Sequence, residues 1–457
     1  MRILVINGSP RGQYSTTLQT VLYLKLLHPE HRFEILDAGA KIKLFEKDFS
    51  QAKERLESAD MLLFSYPVYT FVVPSQLHRF FELMKLSGAR LEGKLATQIT
   101  TSKHFYDVTA HGFIRDNCRD MGLRCIEGLS ADMDDLLSEK GQREAREFFD
   151  FTVWCAERDL AEPVPETRGT TPKHMPVTVP EPDGREKDGN VIIVTDLGPE
   201  DTRLRAMIER FRAVLPLRTT VVNILDFPIR GGCLGCFNCA VDGRCVYNDG
   251  FSELLREKIQ TGQAIVTAFT IRDHSKGYRF KLYDDRQFCN GHRTVTMGMP
   301  MGYLVSGDLS GEANLRMVLE AEAEVGGNYL AGIASDERDP DASIDAMAAR
   351  LAYAVEHGYT RPSNFYGVGG MKIFRDLIWL MQGMMKADHR FYKSHGQYDF
   401  PQKHRGTMLK MYLVGALLAN PKLKAKMGNK MNEGMISPYR KVLEKAAGKA
   451  AGKTAGH

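Results

Sequence analysis

No uninterrupted apolar stretch of the ~20 residues that a membrane-spanning helix requires occurs anywhere in the 457 residues. An export signal is lacking as well: Met1 to Ile6 passes from one basic residue into an apolar strand and a glycine turn, without the longer apolar run and cleavage site of a secreted precursor. The chain is therefore expected to stay in a reducing cytoplasm. There, eight cysteines, four of them between Cys233 and Cys245, point to metal or redox chemistry sooner than to disulfides. No aromatic–basic stripe or recognition helix is present, so no nucleic-acid partner is expected.

What is there suits a soluble protein with real cores: 43% hydrophobic and 26% charged residues, over a length that implies two or three domains. Charge is unevenly placed. From Phe365 to His457 there are 17 Lys and Arg against 5 Asp and Glu, a net of +12 within an overall +4, which leaves −8 for residues 1–364. A basic tail follows an acidic body.

Residues 2–6 form a short apolar run that ends at Asn7-Gly8, and Ser15 to Leu27 has apolar residues at helical spacing. The alternation continues with strands near 33–36, 61–64, 95–100 and 123–126 and helices near 49–58, 74–86, 112–121 and 141–157. Five strands, each followed by a helix, predict a doubly wound parallel sheet over residues 1–161, which binds ligands at the carboxyl ends of its strands. Residues 162–189 break the pattern with Pro163, Pro165, Pro172, Pro176, Pro180 and Pro182, an extended linker. The alternation restarts over 190–362, with strands at 191–195, 219–225, 264–269, 303–306 and 329–334 and helices near 200–214, 251–259, 311–323 and 343–356. The same order at similar length reads as an internal duplication. Residues 363–457 predict helices alone, rich in Met, aromatic and Lys residues.

The first strand–helix turn, N-G-S-P-R-G-Q-Y-S-T-T from Asn7 to Thr17, gathers hydroxyls, glycines and an arginine where main-chain N–H groups converge at a helix start. A phosphate dianion is stabilised there by the helix dipole, the Ser9, Ser15, Thr16 and Thr17 hydroxyls and Arg11; an N-capped helix after a polar turn explains any one of them alone. After the third strand, S-Y-P-V-Y-T-F-V-V-P-S-Q-L-H-R-F-F from Ser65 to Phe81 is an aromatic loop that leads into a helix and can set a flat apolar wall beside an isoalloxazine ring.

On these two motifs, residues 1 to about 160 resemble the NADPH-dependent FMN reductase and iron–sulfur flavoprotein families, whose phosphate turn reads G-S-P-R followed by Ser/Asn and Thr, and whose ring loop reads P-x-Y followed by P or S-x-x-L-K-x-F. The resemblance implies a flavodoxin-like fold, with FMN phosphate contacts from Ser9, Arg11, Ser15 and Thr16. It also implies ring contacts from Pro67, Val68, Tyr69, Thr70, Thr101 and Ser102. His78-Arg79 departs from the family's Lys pattern and is expected on a helix surface.

In the second half, G-G-C-L-G-C-F-N-C-A-V-D-G-R-C spaces Cys233, Cys236, Cys239 and Cys245 as C-x2-C-x2-C-x5-C, and its glycines let the backbone turn toward the sulfurs. Zinc sites usually separate two C-x2-C pairs by a longer loop. The pattern is similar to the compact motif of iron–sulfur flavoproteins, which implies a 4Fe–4S cluster near the flavin; zinc or free thiols are the alternatives. Cys118, Cys125 and Cys155 fall on helix or strand positions as packing residues, and Cys289 has no assignment.

The second half carries V-T-D-L-G-P-E-D-T at its first turn, and Asp196, Glu200 and Asp201 would repel a phosphate. Its ring loop is altered too, from Thr267 to Phe280, so it is expected to bind no FMN. Each half keeps what the other lost. In the dimeric family the cluster of one subunit lies near the flavin of its partner, so the two flavodoxin-like domains are expected to pack as a pseudo-dimer with one FMN facing one cluster.

The expected activity is a flavin-dependent oxidoreductase that takes electrons from NAD(P)H or a reduced carrier and passes them to a small-molecule or protein acceptor. No catalytic side chain is assigned, because hydride moves directly to the flavin. The alternatives are a non-catalytic electron carrier and a metal-binding regulator. In the tail, Phe374 to Lys386 and Lys410 to Met427 predict apolar helices; the favoured reading is an extension that covers the domain interface, the other a contact with a membrane surface or an acidic electron-transfer partner. A homodimer of the pseudo-dimer fits the same scheme.

Overall fold

The computed structural model describes residues 1–163, 174–181, 187–420 and 422. The first α/β domain runs β1 (Arg2–Asn7), α1 (Thr16–Leu27), β2 (Arg32–Leu36), a short α2 (Ile42–Phe45), α3 (Ser50–Ser58), β3 (Met61–Pro67), α4 (Ser75–Leu86), β4 (Leu95–Ser102), α5 (Asp107–Asp120), β5 (Arg124–Cys125), β6 (Leu129–Asp132) and α6 (Glu139–Glu157). All strands pair in parallel in the order β2-β1-β3-β4-β5, with β6 also on β4. Both faces are covered, which is why the strands are continuous apolar runs. Ile3, Val5, Met61 and Leu63 pack toward α1 and α6. Leu4, Ile6, Leu62 and Phe64 pack toward α4 and α5.

The second α/β domain runs β7 (Val191–Thr195), α7 (Thr202–Val214), β8 (Thr219–Asn223), α8 (Asn238–Asp242), α9 (Phe251–Glu253, continued as a π-turn over Leu254–Ile259), β9 (Ala264–Thr270), α10 (Gly277–Arg286), β10 (Pro300–Ser306), α11 (Ala313–Gly326), β11 (Tyr329–Ser335) and α12 (Pro340–His357). Its parallel order β11-β10-β9-β7-β8 is the first sheet's order read from the other edge. Helix α10 is the element that sequence periodicity does not reveal: five charged side chains in ten positions conceal it, yet Lys281, Asp284, Asp285 and Arg286 are all buried.

The two sheets are joined through equivalent helices. α4, which follows the third strand of the first domain, packs on α10, which follows the third strand of the second; α5 packs on α11 in the same way. Val318, Ala321 and Val325 of α11 thereby complete the apolar core around Phe113 and Ile114 of α5. The turns after the two third strands match residue for residue. Thr70 and Phe71 take positive φ of 41° and 71° inside the bridge Tyr69–Val72, and Asp273 and His274 take 51° and 59° inside the bridge Arg272–Ser275.

Of the expected linker, Pro165, Pro172 and Pro182 lie outside the described residues. Residues 174–181 run along the second domain, where Met175 N–H donates to Asp336 O at 2.8 Å and Thr178 N–H to Asp341 at 3.0 Å. After α12, α13 (Phe365–Leu380) begins nine residues before the expected Phe374 because Asn364 caps it through Tyr366 N–H. The chain turns at Met381 and continues as α14 (Lys386–Ser394); both helices belong to one compact body with the two sheets, and α13 lies on α11. The described residues from 395 onward belong to a second unit, in which α15 covers Arg405–Leu418; the expected lysine cluster lies beyond the described residues except Lys422. Among the described residues no helix is long and apolar enough to cross a membrane.

Candidate functional site

β1 ends at Asn7, whose side-chain amide donates to Gly12 O and to Asp37, both at 3.0 Å, and so holds the following turn closed. Ser15 caps α1 by accepting from Leu18 N–H at 3.4 Å, which leaves the first N–H groups of the helix facing outward from the turn. Ser9, Ser15 and Thr17 are buried, Thr16 is half-buried and Arg11 is exposed. Among the described residues the Arg11 guanidinium has neither an ion-pair nor a hydrogen-bond partner. A free cation beside buried hydroxyls and helix N–H groups is a seat for an anion of more than one charge.

The ring loop meets this turn from β3. Thr17 and Thr101 share a hydrogen bond of 2.7 Å, which ties the phosphate turn to the end of β4. Ser102 accepts from His104 N–H at 2.8 Å and starts a loop in which His104 and Tyr106 take positive φ, so Phe105 turns back against Phe71 and stacks on Phe374 of α13 at 4.5 Å. All eleven predicted flavin residues, Ser9, Arg11, Ser15, Thr16, Thr17, Pro67, Val68, Tyr69, Thr70, Thr101 and Ser102, line one cleft of about 460 Å³. Its far wall comes from the other domain and from the helical extension: Cys233, Phe237, Cys239, His292, Phe374 and Leu377.

The cysteine hairpin follows β8. Its anchor is Arg286, which is buried, pairs with both oxygens of Asp249 at 2.7 and 2.9 Å, donates to Gly231 O at 3.0 Å and lies over the rings of Tyr247 and Phe251. Cys233, Cys236, Cys239, Cys245 and the unassigned Cys289 surround one small cavity. Burial pushes the Cys233 thiol up to about 12 and the Cys239 thiol up to about 11, so both are protonated at neutral pH and a metal must displace their protons. Cys118, Cys125 and Cys155 are buried away from this cavity, as their positions on secondary structure imply.

Hairpin and ring loop touch directly. Gly235, at φ +62°, leaves so little room that a Cβ would stand 2.0 Å from the Tyr69 hydroxyl and 3.6 Å from Arg11. Gln76 at the start of α4 donates to Cys233 O at 3.1 Å. From α10, Lys281 donates to Tyr69 O at 2.9 Å and Thr70 Oγ1 at 3.0 Å and contacts Asp285, which accepts from Thr70 Oγ1 at 2.5 Å. Lys281 and Asp285 therefore hold the ring loop from outside, and nothing in the local sequence signals it.

Two expectations change. His78 is not on a helix surface: its side chain is fully buried at the interface of the two domains, against Phe113. The second domain's altered turn is also not a bare cluster of carboxylates. Arg272, at the position corresponding to Tyr69, turns into it and donates to Asp201 at 3.0 Å, with Asp196 at 3.6 Å. Burial nevertheless raises Asp196 to about 7, against the pull of Arg272.

Residues 1–111 match the sequence model of the family described as NADPH-dependent FMN reductase. No curated protein matches. Among solved structures, the general stress protein 14 of Treponema denticola in complex with FMN shares 15% identity at a TM-score of 0.29, covering 34% of this chain and 99% of that one. The flavoenzyme NAD(P)H:(acceptor) oxidoreductase FerB of Paracoccus denitrificans shares 18% at 0.29, covering 34% and 97%. The FMN-dependent NADH-azoreductase of Bacillus anthracis in complex with FMN shares 12% at 0.27, covering 33% and 98%.

Proposed function

We propose that this chain, whose residues 1–111 match the NADPH-dependent FMN reductase family, is an FMN-dependent NAD(P)H oxidoreductase with a 4Fe–4S cluster in the cysteine hairpin of its second domain. The observation that carries the reading is one cleft lined at once by all eleven flavin residues and by Cys233 and Cys239. Bound FMN would accept a hydride as a pair of electrons, and a cluster would carry them singly. Arg11, Ser9 and the start of α1 would hold the phosphate. Pro67 to Thr70, fixed by Lys281 and Asp285, would present the ring edge toward the hairpin.

A cluster suits the hairpin better than zinc. Zinc sites usually separate two C-x2-C pairs by a longer loop, whereas Cys233, Cys236, Cys239 and Cys245 follow one another as C-x2-C-x2-C-x5-C around one cavity. That spacing favours a multinuclear centre. The second domain would bind no FMN of its own, because Arg272 with Asp196 and Asp201 fills the seat a phosphate would need. The two α/β domains would then be the halves of a pseudo-dimer in a cytoplasmic enzyme serving a small-molecule or protein acceptor.

The test is anaerobic purification and reconstitution. We expect one bound FMN with four iron and four acid-labile sulfide per chain, and steady-state oxidation of NAD(P)H with a small acceptor. A well-folded chain that stays colourless after FMN is added would end the reading. Flavin and cluster without steady-state NAD(P)H oxidation would mark an electron carrier instead.

A further inference from the structure

We propose that His78, Glu82 and Asp273 form a binding site for one zinc-class divalent cation between the two α/β domains. One ligand atom from each of the three lies within 4.8 Å of the other two. His78 and Glu82 stand one turn apart on α4, the spacing at which two side chains share a helix face and can reach one ion. Asp273 comes from the left-handed turn after β9 of the other domain.

The imidazole is the second, independent observation. His78 is fully buried, and neither ring nitrogen has a hydrogen-bond partner. A buried polar atom left without a partner is costly, which favours a ligand that would satisfy it. Its Nε2 stands 3.7 Å from Asp273 Oδ2. That is too long for a hydrogen bond and close to the roughly 3.3 Å that separates two ligands on a tetrahedral ion with bonds of about 2.0–2.1 Å. Lys85 binds the other carboxylate oxygen, Oδ1, at 2.9 Å and leaves Oδ2 to face the ring. Arg79 takes Glu82 Oε2 at 2.6 Å, and Glu82 Oε1 accepts from Tyr278 N–H at 3.3 Å, which leaves it a second lone pair.

The pseudo-symmetric position shows what is missing here. There the helix pair is Lys281 and Asp285 on α10, and the opposing left-handed residue is Thr70. The Lys281 ammonium lies between the helix carboxylate and the loop of the other domain, so that site carries its own cation. At the corresponding place His78 stands for the lysine and Asp273 for the threonine: the helix position carries no ammonium, a carboxylate has been added, and Lys85 pairs with only one of its oxygens. An imidazole with two carboxylates suits zinc or a neighbouring transition ion better than magnesium, which prefers six oxygens. Such an ion would fasten α4, whose first turn follows the ring loop, to the other domain; the inference does not depend on the bound flavin.

The test is titration of the chelator-treated full-length chain with Co2+ alone, read by absorption. We expect one equivalent to give visible d–d bands without thiolate-to-cobalt charge transfer, unchanged in a C236S/C239S variant and lost in Glu82→Gln and His78→Gln. Glu82→Gln keeps the side-chain shape, so it serves even where His78→Gln does not fold. Absence of any such bands, bands of thiolate type alone, or bands that persist in Glu82→Gln would overturn the proposal in favour of a direct His78–Asp273 ion pair.

Discussion

Asp285 accepts the main-chain N–H of Ser75 at 2.7 Å, so a carboxylate of the second domain caps the helix that follows the ring loop of the first. The reciprocal contact exists: Glu82 accepts from Tyr278 N–H at 3.3 Å at the start of α10. Two equivalent helices therefore cap each other across the interface, and the ring loop between Pro67 and Ser75 is fixed by residues more than 200 positions away.

Removing that carboxylate should be costly. Asp285→Ala leaves the buried Lys281 ammonium without its charge partner, which typically costs about 3–5 kcal/mol. Guanidinium unfolding should show this loss, and Asp285→Asn, which keeps an acceptor for Ser75, should lose less.

Arg11 is the test of the phosphate seat. A charge-assisted hydrogen bond is worth about 1.5–3 kcal/mol, so Arg11→Ala should weaken FMN binding roughly 10- to 100-fold. Riboflavin, which has no phosphate, should bind both forms alike; equal losses for the two ligands in a fluorescence titration would place Arg11 elsewhere.

The contact between hairpin and ring loop can be probed from both sides. Gly235→Ala adds a methyl group against the Tyr69 hydroxyl and puts an L side chain in the left-handed region, a cost of roughly 1–2 kcal/mol before the clash is counted. Cys233 and Cys239 should then react faster with a thiol reagent in the metal-free chain. Tyr69→Phe in the same chain should slow them again.

Stability should fall as pH rises, in two steps. Burial raises Asp196 from its ordinary 3.8 to about 7. A carboxyl that binds its proton more tightly when folded loses stability as pH rises from about 4 through 7, by roughly 4 kcal/mol. Burial opposes charge on His274, but its ring N–H groups donate to the Asp120 and Glu312 carboxylates at 2.9 Å, which outweighs burial and raises the ring to about 9. That stabilisation is complete below about 6.5 and lost as pH rises through about 9, about 3 kcal/mol in all. Denaturant midpoints across pH should lose the first step in Asp196→Asn and the second in His274→Gln.

The sequence shows most of the first domain because its signals are local. Apolar runs ended by Asn7-Gly8 or Pro67, and helices opened by Ser15 or Ser138, depend on neighbours within a few residues; α5 nevertheless begins at Asp107, five residues before the expected start, and β6 (Leu129–Asp132) adds a strand to the five expected. Helix α10 escapes for the opposite reason. Its buried residues are Lys, Asp and Arg, which count as solvent-facing until a partner is known, and the partners Tyr69 of Lys281 and Asp249 of Arg286 come from elsewhere in the chain. His78 misleads in the same way: a histidine beside an arginine on a helix looks exposed until α10 and the Asp273 turn cover it.

By itself the sequence determined the parallel α/β layers, the hydroxyl-rich turn with its arginine, and the tight spacing of Cys233 to Cys245, since each is written within one short segment. Only tertiary structure decided that the hairpin meets Tyr69, that Arg272 enters the second domain's turn, and that His78 sits buried between two carboxylates. These contacts join residues tens to hundreds of positions apart, and the packing of α4 on α10 and α5 on α11 brings the two domains together. No local propensity encodes that packing.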